Sequence, residues 1–212
     1  LDGAVLVEAE ILRERLREEG LVGETSLWAP LALTLSSAAA GSHPAITSGR
    51  LAVVDVAAQA MCELVEPADV VVDLAAAPGG KTRTLLARGR AQRVIALERN
   101  STRARRLAAA VAAAGRGTQV LVVRADSARP PLPRGAFRSV LLDAPCSGTG
   151  TLRKNPEIRW RLTPDDLPAL ACVQRALLHA ALDLCAPGGS VTWVTCSLEP
   201  EENESVVAAV LA

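Results

Sequence analysis

The sequence predicts an α/β fold in which a mostly parallel sheet is covered by helices on both faces. Five short apolar runs, rich in valine and leucine, alternate with helix-like segments between about residue 70 and residue 197. The runs are almost continuously hydrophobic, which is typical of parallel strands that are buried on both sides. Glycines, cysteines and carboxylates cluster where these runs end, at the edge where such sheets bind ligands.

The predicted elements follow in chain order. An amphipathic helix over 4–19 ends at Gly20, and further helices are predicted over 55–66, after Lys81, over 101–115 and over 163–189. Thr163 would cap the last of these and Pro164 would take its first helical position. The strands are predicted at 70–75, 93–98, 119–126, 139–145 and 190–197.

Size and composition restrict the class of protein. A chain of 212 residues, half of them hydrophobic and 2% aromatic, can form one domain with a core of alanine, valine and leucine. We expect a small N-terminal helical or linker subdomain over 1–50 and the main domain over 51–212. The net charge of zero argues against a generic polycation that coats nucleic acid. The longest wholly apolar run, 107–114, is far shorter than the roughly 20 residues of a membrane span.

Cysteine usage indicates a cytoplasmic protein with reduced thiols. There are five cysteines, an odd number, and no Cys-x-x-Cys pair. With only His43 and His179 as histidines, no metal site is expected. Cys62, Cys172 and Cys185 lie in helical patterns among apolar neighbours, so they are expected to be small core residues.

The segment "DLAAAPGGKT", residues 73–82, joins the first of these strands to a helix and allows two interpretations. Its Gly-Lys-Thr ending resembles the phosphate-binding loop of a nucleotide hydrolase, and the strand "SVLLDAP" could supply a magnesium-binding aspartate. However, Ala75 stands where that loop has its first glycine. Pro78 also lacks the N–H group that a phosphate cradle would use.

The second interpretation is a site for an adenosine cofactor without phosphates. Gly79 and Gly80 allow a ligand to approach the backbone closely. Glu98 closes the second strand, where a carboxylate in this fold accepts the ribose hydroxyls, and Asp126 ends the third strand near the expected adenine. Acidic residues on successive strand ends suit S-adenosylmethionine, whose net charge is positive. A dinucleotide fits less well because the Gly-x-Gly-x-x-Gly pattern is absent.

The fourth and fifth strands end in "DAPCSGTG" and "TCS", and each of these endings contains a cysteine. Cys146 and Cys196 are each followed by a serine at a strand-to-loop transition, on strands that this topology places side by side. A thiol beside S-adenosylmethionine suits methylation of cytosine at carbon 5, a poor nucleophile. Thiolate addition at carbon 6 makes carbon 5 enamine-like, and a second cysteine could help to release the product. Asp143 is placed to hydrogen-bond ring N3 during that addition.

Three segments, "DLAAAPGGKT", "LLDAPCSGTGTLRKNPEIRW" and "VTCSLEPEENESVV", resemble the signature motifs of the Sun/Fmu family of RNA cytosine-C5 methyltransferases. The resemblance runs from about Gly41 to the last residue. It implies a Rossmann-like class I methyltransferase fold with strand order 3-2-1-4-5. It also implies transfer of a methyl group from S-adenosylmethionine to cytosine in RNA, with ribosomal RNA favoured over transfer RNA.

The resemblance also implies particular roles. Cys196 would be the nucleophile and Cys146 would assist product release. Glu98 would hold the cofactor ribose, Asp126 would face its adenine, and Asp143 would lie between cofactor and target base. The loop that wraps the cofactor would consist of Ala75, Ala76, Ala77, Pro78, Gly79, Gly80 and Lys81.

RNA is expected to contact the basic loop that follows Cys146. Its candidate residues are Arg153, Lys154 and Arg159, and Trp160 beside them could either stack on a base or pack. The family's dedicated RNA-binding domain and its final strand pair are expected to be missing, which would leave the strand at 190–197 near an open edge. Two alternatives stay open: a non-catalytic RNA- or ribosome-binding module that keeps the fold, and a phosphate-loop nucleotide hydrolase.

Overall fold

The computed structural model describes residues 9–20, 22–25, 33–35, 44–47 and 54–212. Its strands are β1 (Gly23–Thr25), β2 (Leu33–Leu35), β3 (Ala68–Asp73), β4 (Ala91–Leu97), β5 (Val120–Val123), β6 (Phe137–Asp143) and β7 (Cys185–Val194). Its α-helices are α1 (Ala9–Glu18), α2 (Pro44–Thr47), α3 (Val56–Cys62), α4 (Gly80–Ala87), α5 (Ser101–Ala113), α6 (Ile158–Arg161), α7 (Asp166–Leu184) and α8 (Glu204–Leu211). Single 3-10 turns lie at Thr149–Thr151 and Pro200–Glu202.

The N-terminal region contains a helix and a small sheet. β1 and β2 pair antiparallel, with Gly23 opposite Leu35. Helix α1 confirms the predicted helix over its described residues, while the predicted start at 4–8 lies outside the residues that the structure describes. The expected boundary between residues 50 and 51 also falls outside them, so the division into two units remains an expectation.

The main sheet has five parallel strands in the order β5-β4-β3-β6-β7. When the five strands are counted from β3 as the first, this is the predicted order 3-2-1-4-5, and β7 lies at one edge. Consecutive residues of the central strands point to opposite faces, so Val71 and Leu141 enter one core cluster whereas Val72 and Leu142 enter the other. Two separate cores explain why these strands are apolar along their whole length.

Each face of the sheet has its own helical layer. The first core receives Cys62 from α3, Leu85 from α4 and Leu107 from α5. The second receives Leu184 from α7 and Val206 from α8. All five side chains are almost completely buried, and burial of each leucine stabilises the fold by about 2 kcal/mol. The sheet is therefore covered on both faces, as the sequence predicts.

Helix α7 is shorter than predicted at both ends. The Thr163 N–H and hydroxyl both donate to the Asp166 carboxylate at 2.8 Å, and this closed turn delays the helix to Asp166 instead of Pro164. At the other end Cys185 pairs with Phe137 as the first residue of β7. The pairing of β7 with β6 is then irregular until Ser139 pairs with Ser190, and this irregularity accommodates the Pro-Gly-Gly segment that follows Ala186.

By length and composition alone, α7 could cross a membrane. Its apolar stripe instead packs on the second core through residues such as Leu177 and Ala181. The same helix buries Gln174 completely, next to the candidate site. The structure corrects the prediction for Cys172, which is exposed on the outer face of α7. Cys185 packs against the second core as a partly buried residue, but from a strand and not from a helix.

Candidate active site

The loop 74–79 connects β3 to α4 at the carboxyl edge of the sheet. Gly79 has φ of +104°, and its N–H donates to the Ala76 carbonyl at 2.7 Å. A methyl group on Gly79 would lie 2.7 Å from Leu107 Cδ1 of α5. The loop therefore needs glycine here both for backbone conformation and for space. Gly80 and Lys81 begin helix α4 directly behind it.

The two ends of this segment are joined by a buried hydrogen bond that sequence reasoning missed. The Thr82 hydroxyl donates to Asp73 Oδ2 at 2.7 Å, and both side chains are buried. Burial raises the pKa of Asp73 to about 6. Thr82 is thus occupied by a protein carboxylate, whereas a phosphate-loop hydrolase uses this hydroxyl on magnesium. This contact disfavours the hydrolase interpretation.

Two carboxylates follow the neighbouring strands. Glu98, directly after β4, is 7% exposed, and its Oε1 accepts hydrogen bonds from Asn100 N at 2.6 Å and Arg103 Nη2 at 3.0 Å. Asp126 lies three residues beyond β5, is exposed, and accepts from Ala128 N at 3.0 Å. Both carboxylates lie at the carboxyl edge, on the side of β3 away from the cysteines.

Lys81 and Asp143 join the two sides of the site. The Lys81 ammonium forms an ion pair with Asp143 Oδ2, and both side chains are partly buried. Lys81 belongs to the glycine-loop side, while Asp143 is the last residue of β6 on the cysteine side. This pair places the predicted Asp143 between the glycine loop and the two thiols.

The two cysteines lie in direct contact. Cys146 Sγ and Cys196 Sγ are 3.2 Å apart, and the Cys196 N–H donates to Cys146 Sγ at 3.3 Å. The hydrogen bond from Cys146 lowers the pKa of Cys196 to about 7. The same contact, together with burial, raises the pKa of Cys146. Since Cys196 is exposed and Cys146 is half-buried, the negative charge is better solvated on Cys196.

The loops that carry the thiols are cross-linked. Gly150 N donates to the Cys196 carbonyl at 2.9 Å, and a methyl group on Gly150 would lie 2.9 Å from that oxygen. Ser147 Oγ and Ser197 Oγ are 3.1 Å apart, and Leu198 N donates to Thr149 Oγ1 at 2.9 Å. The serine after each cysteine therefore bonds the other loop.

Sequence reasoning missed two buried polar residues behind these loops, Gln174 and Glu202. Burial by itself disfavours the charged form of Glu202, yet hydrogen bonds from Ser147, Ser197 and Gln174 lower its pKa. Glu202 belongs to the acidic stretch "EPEENE", a composition that is typical of a solvent-exposed surface. The sequence feature that could have indicated a role near the site is the position of this stretch, which comes soon after the Cys196 motif.

The candidate RNA-binding residues fall into two groups. Arg153 and Arg159 are exposed, and neither has an acidic partner within the described part of the chain. Lys154 is different, because its ammonium forms an ion pair with Asp55, the residue that caps α3. Trp160 is 80% exposed, so it does not pack in the core.

The chain matches a known protein family over most of its length. Residues 61–212 match the family model described as 16S rRNA methyltransferase RsmB/F. Over 176 residues the chain is 38% identical to ribosomal RNA small subunit methyltransferase B of Sodalis glossinidius, a match that covers 81% of this chain and 40% of that protein. The chain therefore spans less than half the length of this curated relative.

Two solved structures have a similar fold. A methyltransferase homologue from Pyrococcus horikoshii is 29% identical with a TM-score of 0.79, covering 97% of this chain and 66% of that one. NSun6 from Pyrococcus horikoshii, solved with SFG, is 27% identical with a TM-score of 0.73, covering 85% of this chain and 48% of that one.

Proposed function

Because the chain belongs to the 16S rRNA methyltransferase RsmB/F family, we propose that it methylates carbon 5 of a cytosine in RNA, with S-adenosylmethionine as methyl donor. Ribosomal RNA is the proposed substrate class, since the curated relative is named for the small-subunit RNA. The observation that carries the proposal is the contact between Cys146 and Cys196 beside the Lys81–Asp143 pair.

The residues at the carboxyl edge fit this cofactor. Both hydrogen bonds of Glu98 within the described residues go to Oε1, which leaves Oε2 to accept from a ribose hydroxyl. Asp126 after the next strand suits an adenine amino group. Gly79 and Gly80 face Leu107 and Val54 rather than open space, so their lack of side chains serves the packing of the loop. SFG, with which the NSun6 structure was solved, is an analogue of S-adenosylmethionine. When bound, the cofactor supplies an electrophilic methyl group.

Cys196 is the proposed nucleophile. With a pKa of about 7, a large fraction of its thiol is ionised at neutral pH. Its sulfur would form a bond to carbon 6 of the cytosine, which moves electron density to carbon 5 and ring N3. Asp143 would pass a proton from the adjacent Lys81 ammonium to N3, and the resulting N3–H would donate a hydrogen bond to the Asp143 carboxylate.

Cys146 is proposed to act after methyl transfer. Solvent water would take the carbon-5 proton, and its electron pair would form the double bond between carbons 5 and 6 as the bond from carbon 6 to Cys196 Sγ breaks and releases a thiolate. The proton at N3 would return to Lys81 through Asp143, which restores the aromatic ring. Cys146 stays protonated, because its pKa is raised by the contact with Cys196 and by burial. It can therefore donate a hydrogen bond to the departing thiolate at the observed sulfur–sulfur separation of 3.2 Å.

Trapping of the covalent adduct tests this assignment. Each variant is incubated with a small-subunit ribosomal RNA transcript and S-adenosylmethionine, then run on a denaturing gel. We expect Cys146→Ser to accumulate a protein–RNA complex, because the adduct forms but is released slowly. Cys196→Ser should form neither adduct nor 5-methylcytosine. The control Cys172→Ser, which removes an exposed thiol on α7, should behave like the wild type.

Three results would contradict the proposal or part of it. Trapping by Cys196→Ser but not by Cys146→Ser would reverse the roles of the cysteines. If the folded chain shows neither calorimetric binding of S-adenosylmethionine nor methylation, a non-catalytic module is the better description. Stabilisation by ATP without any S-adenosylmethionine effect would favour the hydrolase.

A further inference from the structure

Glu202 contacts the loop that carries Cys146. It ends the 3-10 turn Pro200–Glu202 and is fully buried. Its Oε1 accepts hydrogen bonds from Ser147 N at 2.9 Å and from Gln174 Nε2 at 2.8 Å. Gln174 Nε2 also donates to the Pro145 carbonyl at 2.9 Å. The residues on either side of Cys146 are thus bound to one buried carboxylate, directly or through Gln174.

Asn203, the next residue, contacts the loop that carries Cys196. Its Oδ1 accepts from Thr195 Oγ1 at 2.5 Å, and its Nδ2 donates to the Ser197 carbonyl at 3.1 Å. Nδ2 also donates to the Glu199 carbonyl at 2.9 Å. Asn203 therefore binds the residue before Cys196 and the residue after it.

We propose that Glu202 and Asn203 are positioning residues that together set the separation of the two thiols. The inference rests on the proposed function, because it concerns the same pair of cysteines. Adjacent residues in the chain hold adjacent loops, so any shift of one loop relative to the other must break one of these sets of hydrogen bonds. Neither residue bonds a cysteine side chain; both act through the backbone and the flanking side chains.

The thiols need such support because their own contact is weak. A thiol is a poor hydrogen-bond donor and sulfur a poor acceptor, so the contact cannot by itself hold two loops at a sulfur–sulfur distance of 3.2 Å. A buried carboxylate that accepts two hydrogen bonds is a much stronger constraint. Asp143 and Lys81 also face Cys196. The Glu202 and Asn203 variants leave both of these charges in place.

Alkylation of Cys196 measures the thiol contact without RNA or cofactor. The full chain is treated with iodoacetamide from pH 6 to pH 10, and the rate at Cys196 is read by peptide mass spectrometry. In the wild type we expect a midpoint near pH 7. Glu202→Ala and Asn203→Ala should each move it toward the ordinary cysteine value of 9.0. At pH 7 the rate should fall about fivefold, since the loss of thiolate outweighs its greater nucleophilicity.

Two further variants sharpen the test. Glu202→Gln keeps an acceptor for Ser147 but loses the charge, so its midpoint should lie between those of the wild type and Glu202→Ala. Glu201→Gln is the matched control, because Glu201 is exposed in the same turn and forms no hydrogen bond or ion pair within the described residues. Its midpoint, its kcat and its KM for RNA should equal those of the wild type.

Activity provides the second readout. Because Glu202 is buried away from RNA, we expect Glu202→Gln to lower kcat and to leave the KM for RNA unchanged. A folded Glu202→Gln with a wild-type midpoint and a wild-type kcat would overturn the inference, even if its melting temperature is lower. An absence of methylation by the wild type would contradict the proposed function alone, and the alkylation midpoints would still decide the positioning role.

Discussion

On the β3–β5 side of the site, the glycine loop is shaped by backbone conformation and packing, whereas on the β6–β7 side the two thiol loops are joined by side-chain hydrogen bonds. Gly79 lies against Leu107 with a positive φ angle, and the side-chain hydrogen bond between Asp73 and Thr82 joins the two ends of the loop rather than shaping its turn. By contrast, Ser147 and Ser197 bond each other across the thiol loops. Steric changes should therefore damage the first side, and loss of polar groups should damage the second.

The difference follows from what each side has to do. A cofactor pocket needs a fixed shape that excludes side chains, which glycine backbone provides at low cost. A pair of reacting thiols needs a fixed separation, which directional hydrogen bonds provide. The Lys81–Asp143 ion pair lies between the two sides and belongs to both. The four predictions below test this division.

The largest effect is expected at Asp143, where the two sides meet. Asp143→Asn should lower kcat by about 10²- to 10⁴-fold, because the amide can neither transfer a proton to ring N3 nor form an ion pair with Lys81. Asp126→Asn is the control on the cofactor side, and it should weaken S-adenosylmethionine binding while kcat at saturation changes little. Steady-state methylation kinetics measure both. Equal losses of kcat in the two variants would contradict the division.

Gly79→Ala tests the steric side. The positive φ angle and the 2.7 Å approach to Leu107 Cδ1 should together lower the free energy of unfolding by about 2 to 4 kcal/mol. Gly89→Ala is matched to it, because Gly89 also has a positive φ angle, +65°, but nothing lies within 4 Å of an added methyl group. The free energy of unfolding of Gly89→Ala, measured by urea denaturation, should be only about 1 kcal/mol below that of the wild type. Equal losses would show that packing on α5 is unimportant.

Asp73 should make the stability depend on pH. Its pKa is about 6 in the folded chain and 3.8 in an ordinary aspartate, so between these values the folded state binds more protons than the unfolded state. Its stabilising contribution is complete below pH 4 and is lost as the pH rises through 6. The expected loss is about 2 to 3 kcal/mol.

Comparison with Asp73→Asn isolates this contribution. The amide does not titrate, so the fall in unfolding free energy from pH 4 to pH 7 should be smaller in this variant than in the wild type. Glu202, whose pKa is lowered, acts in the opposite direction in both proteins and cancels from the difference. Identical pH profiles for the two proteins would show that Asp73 is not perturbed.

The smallest effects are expected on the RNA-binding surface. Arg153→Ala and Arg159→Ala should each weaken RNA binding about threefold to tenfold and reduce the salt dependence, because one phosphate contact is lost. Lys154→Ala should have a smaller effect, since Lys154 already forms an ion pair with Asp55. Filter binding at several salt concentrations measures both the affinity for RNA and its salt dependence. An equal loss at Lys154 would mean that RNA displaces Asp55.

The residue pattern was sufficient to predict the parallel α/β fold and the strand ends at which most candidate residues lie, whereas the strand order followed from the resemblance to the methyltransferase family. The reason is local: uniformly apolar strands and a glycine stop such as Gly115, which ends the predicted helix over 101–115, are visible within a few residues of the chain. The match of Cys146 and Cys196 to adjacent strand ends followed from the same alternation, since parallel strands all end at one edge of the sheet.

Only the tertiary structure decided which polar groups meet. Gln174, Glu202 and Asp73 look like ordinary surface residues in the sequence, and they become buried because the chain folds distant segments onto them. The pairing of Lys154 with Asp55 and the exposure of Cys172 were equally invisible. Hydrogen-bond partners separated by tens of residues leave no periodic pattern, so their contacts follow from the packing of the whole chain rather than from any local segment.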